Sequence, residues 1–189
     1  MVFRGWALIR LAGLALVCLL AVGCGGSSSG PPPVHSARQL CIHVRGTAAR
    51  LLGGSVAARV TDPDLANIEC VLSAPGIRID VVAEASPRAW SQYDATVVHQ
   101  SQAFGSTAAP KASDLPINLG GLGFNAAWIP QKQQLVATNA TQSTGGSFVT
   151  VTITRSSRRG PSSERLAKAV ATETLAVAPK GPSPGPPPN

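Results

Sequence analysis

Apolar residues in the first half of the chain recur with two different periods. Between residues 37 and 54 they recur at helical spacing and stop before Gly53, which predicts a helix with Cys41 on its buried stripe. The stripe consists of Cys41, Val44, Ala48 and Leu51. In residues 68–73 they alternate with polar positions, which predicts a strand whose inward side chains are Ile68, Cys70 and Leu72.

The next segments predict a hairpin followed by a helix. Pro75 and Gly76 suit a tight turn, and residues 77–84 alternate again, so they should pair with residues 68–73. Ser86 and Pro87 have the residue types of an N-cap and a first-turn proline. A stripe at helical spacing then predicts a helix over residues 87–104, formed by Trp90, Tyr93, Val97 and Phe104.

Two further strands and a last helix complete the predicted fold. The strands fall at residues 133–140 and 147–155, and the second places Val149, Val151 and Ile153 on one face. A helix should begin after Pro161, where the serines suit capping, and end before Pro179, with a weak stripe of Leu166, Ala169, Val170, Ala176 and Val177. This order predicts an α+β fold in which an antiparallel sheet packs with about three helices in a single domain, residues 37–178. The last helix either closes this domain or lies on a membrane.

The amino terminus has the pattern of a signal peptide. Arg4 and Arg10 precede an almost unbroken apolar run over residues 11–22, and no acidic residue interrupts it. A spanning helix needs about 20 apolar residues, so export followed by cleavage fits this shorter run better than an uncleaved anchor. We therefore expect residues 1–23 to be a signal peptide.

Small residues stand directly before Cys24. The sequence AVGC, residues 21–24, resembles a bacterial lipobox, which implies cleavage after Gly23, a diacylglyceryl thioether on Cys24 and acylation of the new amino terminus. The other interpretation is an incidental cysteine near the end of a signal peptide. The glycine, serine and proline residues that follow predict a flexible tether over residues 24–36. A second proline-rich stretch predicts a disordered tail over residues 179–189.

The charge of the chain is modestly basic. Without Arg4 and Arg10, the 16 basic residues become 14 against 9 acidic ones, a formal charge of +5. For an anchored envelope protein this favours lipid headgroups or wall phosphates as partners over nucleic acid. The densest basic cluster lacks interleaved aromatic residues, so we expect a solvated face rather than a nucleic-acid platform. The cluster comprises Arg155, Arg158, Arg159, Arg165 and Lys168.

Two cysteines remain for the exported domain once Cys18 leaves with the signal peptide and Cys24 takes lipid. Cys41 and Cys70 both face the predicted core, and oxidising surroundings let disulfides persist, so we expect them to form a disulfide. Free buried thiols are one alternative, and a metal site that includes His43 is another. Residues two apart on a helix diverge by about 200°, which disfavours a site with both Cys41 and His43. We expect no metal and no cofactor.

Candidate catalytic motifs are absent from the sequence. His99 should be exposed, and Asp94 with Ser91 or Ser101 makes no convincing triad. The serines lack a G-x-S-x-G elbow. The glycines at 120, 121 and 123 do not match G-x-G-x-x-G and predict a structural turn that leads to Phe124 and Trp128. We therefore expect no catalytic residues.

The order of elements resembles that of a group of small actinobacterial envelope lipoproteins of unknown function. The matching positions are Cys24, Cys41, Cys70, residues 121–123 and Trp128. The resemblance implies an α+β domain at the outer face of the cytoplasmic membrane and carries no catalytic residues. We expect a non-enzymatic binding module for an envelope lipid, a wall polymer or a membrane-protein partner, and a concave sheet covered by helices could form an apolar pocket for it. The alternatives are an envelope hydrolase or modifying enzyme with an unrecognised site, and a purely structural spacer.

Overall fold

The first helix, α1 (Ala37–Leu52), begins after a serine N-cap and ends at a glycine in the left-handed conformation. The computed structural model describes residues 34, 36–62, 67–103, 111–157 and 160–182. The Ser36 hydroxyl accepts a 3.2 Å hydrogen bond from the N–H of Gln39, and Gly53 ends the helix with a φ of 68°. Cys41 is buried, as the helical stripe predicted. The signal peptide, Cys24, Phe104, Arg158, Arg159 and residues 183–189 lie outside the described residues.

A single antiparallel sheet forms the centre of the described domain. Its seven strands lie in the order β1-β2-β3-β7-β6-β5-β4. They are β1 (Ala57–Asp62), β2 (Asn67–Ala74), β3 (Ile77–Ser86), β4 (Ile117–Asn118), β5 (Asn125–Ile129), β6 (Gln134–Thr138) and β7 (Gly146–Arg155). Helix α2 (Ala89–Ala103) follows β3, and α3 (Ser163–Val177) follows β7. The predicted α+β class, with one antiparallel sheet and three helices, is confirmed.

The two faces of the sheet are covered unequally. Helices α1 and α3 pack side by side on one face, and the core between them and the sheet contains fully buried side chains. Examples are Leu40, Leu72, Val149 and Leu166. Helix α2 lies on the other face, where Tyr93 and Val97 pack against Ile129 and Val136, and it also contacts β3. The same face of β3 is more polar, and there Arg78 donates a 2.7 Å hydrogen bond to Asp80. This bond raises the pKa of Arg78.

Several elements differ from the sequence prediction, and strands β4 and β5 were not predicted from periodicity. Strand β1 was not predicted, because it is an edge strand whose exposed Ala57, Ala58 and Arg59 leave no alternation. Helix α2 begins at Ala89 rather than at residue 87, because β3 extends to Ser86. The buried stripe of α3 was partly wrong. It runs through Leu166, Ala167, Val170, Ala171, Thr174 and Val177, whereas Ala169 is half-buried and Ala176 is exposed.

The described chain packs beyond the predicted end of the domain at residue 178. The Ser147 hydroxyl donates a 2.7 Å hydrogen bond to the carbonyl oxygen of Pro179. The N–H of Gly181 donates a 3.0 Å hydrogen bond to the carbonyl oxygen of Gly146. A Cβ on Gly181 would collide with the backbone of Ser86, so the two chains are in close contact. The described chain therefore keeps contact with the domain as far as Gly181, while the disordered tail over residues 179–189 stays a prediction.

Candidate functional site

Three segments meet at one end of the sheet, which we call the hairpin end. They are the β2–β3 turn at Pro75 and Gly76, the end of β7 at Arg155, and the start of α3 at Ser163. The carbonyl oxygen of Gly76 accepts a 3.0 Å hydrogen bond from the N–H of Ser156. Gly76 has a φ of 73°, and a Cβ there would lie 3.2 Å from the Ser156 hydroxyl, so the turn requires glycine. The predicted hairpin thus also positions the segment that connects β7 to α3.

A polar cavity of about 560 Å³ lies at the hairpin end. It is lined by Gln133, Ile153, Arg155, Ser156, Ser157 and Ser163. Ser163 is the first residue of α3 and is only 9% exposed. The neighbouring Ser162 is the N-cap, and its hydroxyl accepts a 3.2 Å hydrogen bond from the N–H of Arg165. The Ser163 hydroxyl is therefore not required for capping, and it has no hydrogen-bond partner within the described part of the chain.

The polar cavity has a positive electrostatic environment. The 15-residue helix α3 directs its N-terminal end, with its partial positive charge, towards the cavity. The half-buried Arg155 contributes a full positive charge, and Arg165 lies in the first turn of the helix. Glu164, also in the first turn, opposes these charges. The arrangement favours an anion and contains one nearby carboxylate that should weaken its binding.

A smaller, apolar cavity of about 380 Å³ lies beside the polar one. It is lined by Leu52, Gly54, Ser55, Ala74, Pro75, Ile77 and Gly160. Ile77 and Arg155 are directly opposite each other in the β3–β7 ladder, so their side chains leave the same face of the sheet. A Cβ on Gly160 would lie 3.6 Å from the guanidinium of Arg155. Arg155 thus lines the polar cavity and lies next to Ile77 and Gly160, which line the apolar one.

His43 makes a contact that the sequence analysis did not anticipate. Its Nε2 lies 2.8 Å from a carboxylate oxygen of Glu173, and this contact joins α1 to α3. Both side chains are about a third exposed, at 39% and 34%. A histidine beside a carboxylate is also part of a catalytic triad, but no hydroxyl among the described residues is hydrogen-bonded to His43. The Thr47 hydroxyl accepts a hydrogen bond from Arg50, and the Thr172 hydroxyl donates one to its own helix.

The other catalytic candidates stay apart. His99 is exposed on α2, as its position opposite the apolar stripe predicted, and it has no described partner among acids or hydroxyls. The Ser101 hydroxyl donates a 2.9 Å hydrogen bond to the carbonyl oxygen of Val97. Ser91 and Asp94 are exposed on the same helix. Within the described residues, these side chains form no triad.

The predicted disulfide is present. Cys41 on α1 and Cys70 on β2 are bonded, with their Cα atoms 5.5 Å apart and both side chains buried. Two of the three ligands considered for a metal site are therefore consumed by the bond. The described residues contain no group of three or more histidine, cysteine or acidic side chains that could hold a metal ion. Cys24, the predicted lipidation site, lies outside the described residues.

Comparisons with known proteins found no match. The chain matches no protein-family model, no curated protein and no solved structure. Within the residues that the structure describes, no helix combines the length and the apolar character needed to cross a bilayer.

Arg155 and the serines before α3 stand out in the sequence, but the sequence did not predict that they form one site. Arg155 was assigned to a solvated basic face, and the serines before α3 were assigned to capping. One signal could have singled out Arg155. In the segment VTITR, residues 151–155, it occupies the same face as Val151 and Ile153, which are buried. A charged side chain at the end of an apolar face is typical of a site at the rim of a core.

Proposed function

We propose that this protein is a cell-envelope lipoprotein, anchored through acyl chains on Cys24, whose domain binds a ligand at the hairpin end without transforming it. The observation that carries the binding role is the polar cavity, where the start of α3, Arg155 and the Ser163 hydroxyl converge. The described lining includes hydroxyl, amide and guanidinium groups but no histidine, cysteine or carboxylate. Such a lining recognises a ligand and supplies no acid–base pair.

The disulfide supports a location outside the cytoplasm. A buried bond between Cys41 and Cys70 joins the first helix to the central sheet, and disulfides form and persist in oxidising compartments. The apolar run over residues 11–22 and the AVGC sequence at residues 21–24 support export followed by lipidation. Two or more acyl chains would hold the domain stably, because one chain alone binds a membrane only marginally.

The anchor is tested by expressing the full chain in a bacterium that processes lipoproteins. We expect the protein in the membrane fraction, with an amino terminus at Cys24 and the added mass of acyl chains on that residue. The matched variant Cys24→Ala should lose the acyl mass and leave the membrane fraction. An amino terminus elsewhere, or an unmodified Cys24 in the wild-type protein, contradicts the anchor.

The binding role is tested separately from the anchor. Whatever copurifies with the full chain is identified by native mass spectrometry and compared with the same compound from cells that lack the protein. We expect one ligand at stoichiometric amount, chemically unchanged. Recovery of a hydrolysed or modified product in its place would support the alternative of an envelope hydrolase.

A further inference from the structure

We propose that the polar cavity at the hairpin end is a binding site for a phosphate-class oxyanion. The N–H groups of Ser163 and Glu164 at the start of α3, the Ser163 hydroxyl and the Arg155 guanidinium would surround the oxyanion. This inference rests on the proposed binding role of the cavity and is independent of the anchor at Cys24. It names the chemical class of ligand, which the binding role alone does not.

Ser163 is the observation that points to a ligand. Its side chain is more than nine-tenths buried, lines the cavity and has no hydrogen-bond partner among the described residues. The Ser163 oxygen is not one of the fully buried polar atoms that lack a partner; it is accessible from the cavity and can donate a hydrogen bond to an acceptor there. The N-cap function belongs to Ser162, which leaves Ser163 free to donate to a ligand.

The charge around Ser163 selects an anion as that acceptor. The first N–H groups of a helix have no intrahelical partner and, together with the macrodipole, favour phosphate groups. Arg155 lines the same cavity, and its planar guanidinium can donate two parallel hydrogen bonds to one oxyanion. Ser156 and Ser157 place two more serine side chains on the cavity wall. A tetrahedral oxyanion would accept hydrogen bonds from several of these directions at once.

The adjoining apolar cavity defines two possible sources of this oxyanion. Arg155 lines the polar cavity and is paired across the sheet with Ile77, which lines the apolar one, so an anionic group held by Arg155 could carry an apolar tail towards Ile77. One source is therefore the phosphate of a lipid. The other is a free phosphate or a small phosphate ester, which would occupy the polar cavity alone. The two sources share the same recognition chemistry and differ only in the use of the apolar cavity.

Calorimetric titration of the full chain in an uncharged detergent tests the site. Inorganic phosphate is added at constant ionic strength, with sodium chloride as the reference anion, and we expect one saturable site with a Kd of about 1 mM or tighter. Arg155→Gln should weaken binding about tenfold or more, and Ser163→Ala about fivefold. Glu164→Gln should strengthen binding about two- to threefold, because it removes the opposing carboxylate.

Matched controls separate the site from general charge effects and from misfolding. Arg78→Gln removes the same charge from the opposite face of the sheet, and Ser143→Ala removes an exposed hydroxyl in another turn; both should leave the Kd unchanged. Because Arg155→Gln could unfold the end of the sheet, circular dichroism checks each variant. Glu164→Gln gives the test a gain of affinity, which a damaged protein would not show.

A second titration distinguishes the two sources. Dihexanoyl phosphatidic acid is compared with dihexanoylglycerol, which has the same chains and no phosphate. A lipid phosphate is identified if phosphatidic acid binds at least tenfold more tightly than inorganic phosphate and if Ile77→Ser reduces this difference. Equal affinity of the two identifies a free phosphate or a small ester. Both results support the oxyanion site.

The inference is overturned if phosphate and phosphatidic acid both fail to saturate the protein, or if the Arg155 and Ser163 variants bind as tightly as the wild type. Stoichiometric copurification of an uncharged ligand would retain the binding role and reject the oxyanion. Loss of the acyl mass at Cys24 would reject the anchor and leave these titrations unaffected.

Discussion

Removal of the Cys41–Cys70 disulfide should cause a large loss of stability. The bond joins α1 to β2, and both cysteines are buried, with exposures of 2% and 1%. Reduction leaves every side chain in place and removes only the cross-link. The double variant Cys41→Ala with Cys70→Ala also removes two buried sulfur atoms. Comparison of the two therefore separates the cross-link from the packing.

The expected magnitude follows from the length of the closed loop. The two cysteines are 29 residues apart. In the chain-entropy model, a cross-link that closes such a loop stabilises the folded state by about 3.6 kcal/mol at 25 °C. The loss of two buried sulfur atoms should add about 1 kcal/mol in the double variant. These losses are a large part of the 5–15 kcal/mol that is typical of the free energy of unfolding.

Urea unfolding followed by circular dichroism measures both effects. With a slope of about 2–3 kcal/mol per molar urea, reduction should lower the midpoint by about 1.5 M. The double variant should unfold at slightly lower urea than the reduced protein and should not respond to reductant. A shift below about 0.3 M on reduction of the wild type would refute the loop-closure reasoning, because the cross-link would then constrain the unfolded chain very little.

Three further predictions concern single contacts. In a double-mutant cycle of His43→Gln and Glu173→Gln, urea unfolding should give a coupling of about 0.5 kcal/mol, because the pair is partly exposed; coupling above 2 kcal/mol would contradict this. Burial raises the pKa of Tyr93, the single tyrosine, above 10.0, so folding stability should be full below pH 10 and fall as the pH rises through the folded pKa. Ultraviolet titration reports this ionisation, and Tyr93→Phe should remove its share of the alkaline loss. Gly123→Ala should cost about 2–3 kcal/mol in thermal unfolding, because its φ is 61° and its Cβ would lie 2.5 Å from a backbone oxygen. Gly121→Ala, with a similar φ and open space, should cost about 1 kcal/mol.

Elements with a regular local pattern of apolar and polar residues could be predicted from the sequence. The hairpin of β2 and β3 follows from alternation on both sides of Pro75 and Gly76, and the disulfide follows from two inward-facing cysteines. Strand β1 escaped prediction because an edge strand with exposed alanines needs no alternation. The predicted stripe of α3 left out the buried Ala167 and Ala171, because small residues contribute little to an apolar stripe.

The candidate site was less predictable than the fold. Arg155, Ser163 and Ile77 are far apart in sequence, and none belongs to a motif. Their proximity depends on β3 pairing with β7 and on α3 starting where that pairing ends. Sequence spacing carries no information about such long-range registers, so a basic cluster and a run of serines could not be distinguished from a solvated surface.

The sequence by itself determined the periods of the helices and strands, the α+β class and the partnership of Cys41 with Cys70. These depend on where apolar side chains fall within a few residues, which local geometry controls. Only the tertiary structure decided the strand order, the pairing of His43 with Glu173 and the two cavities beside Arg155. Each of these requires segments from distant parts of the chain to meet, and the packing of the whole core determines which segments do so.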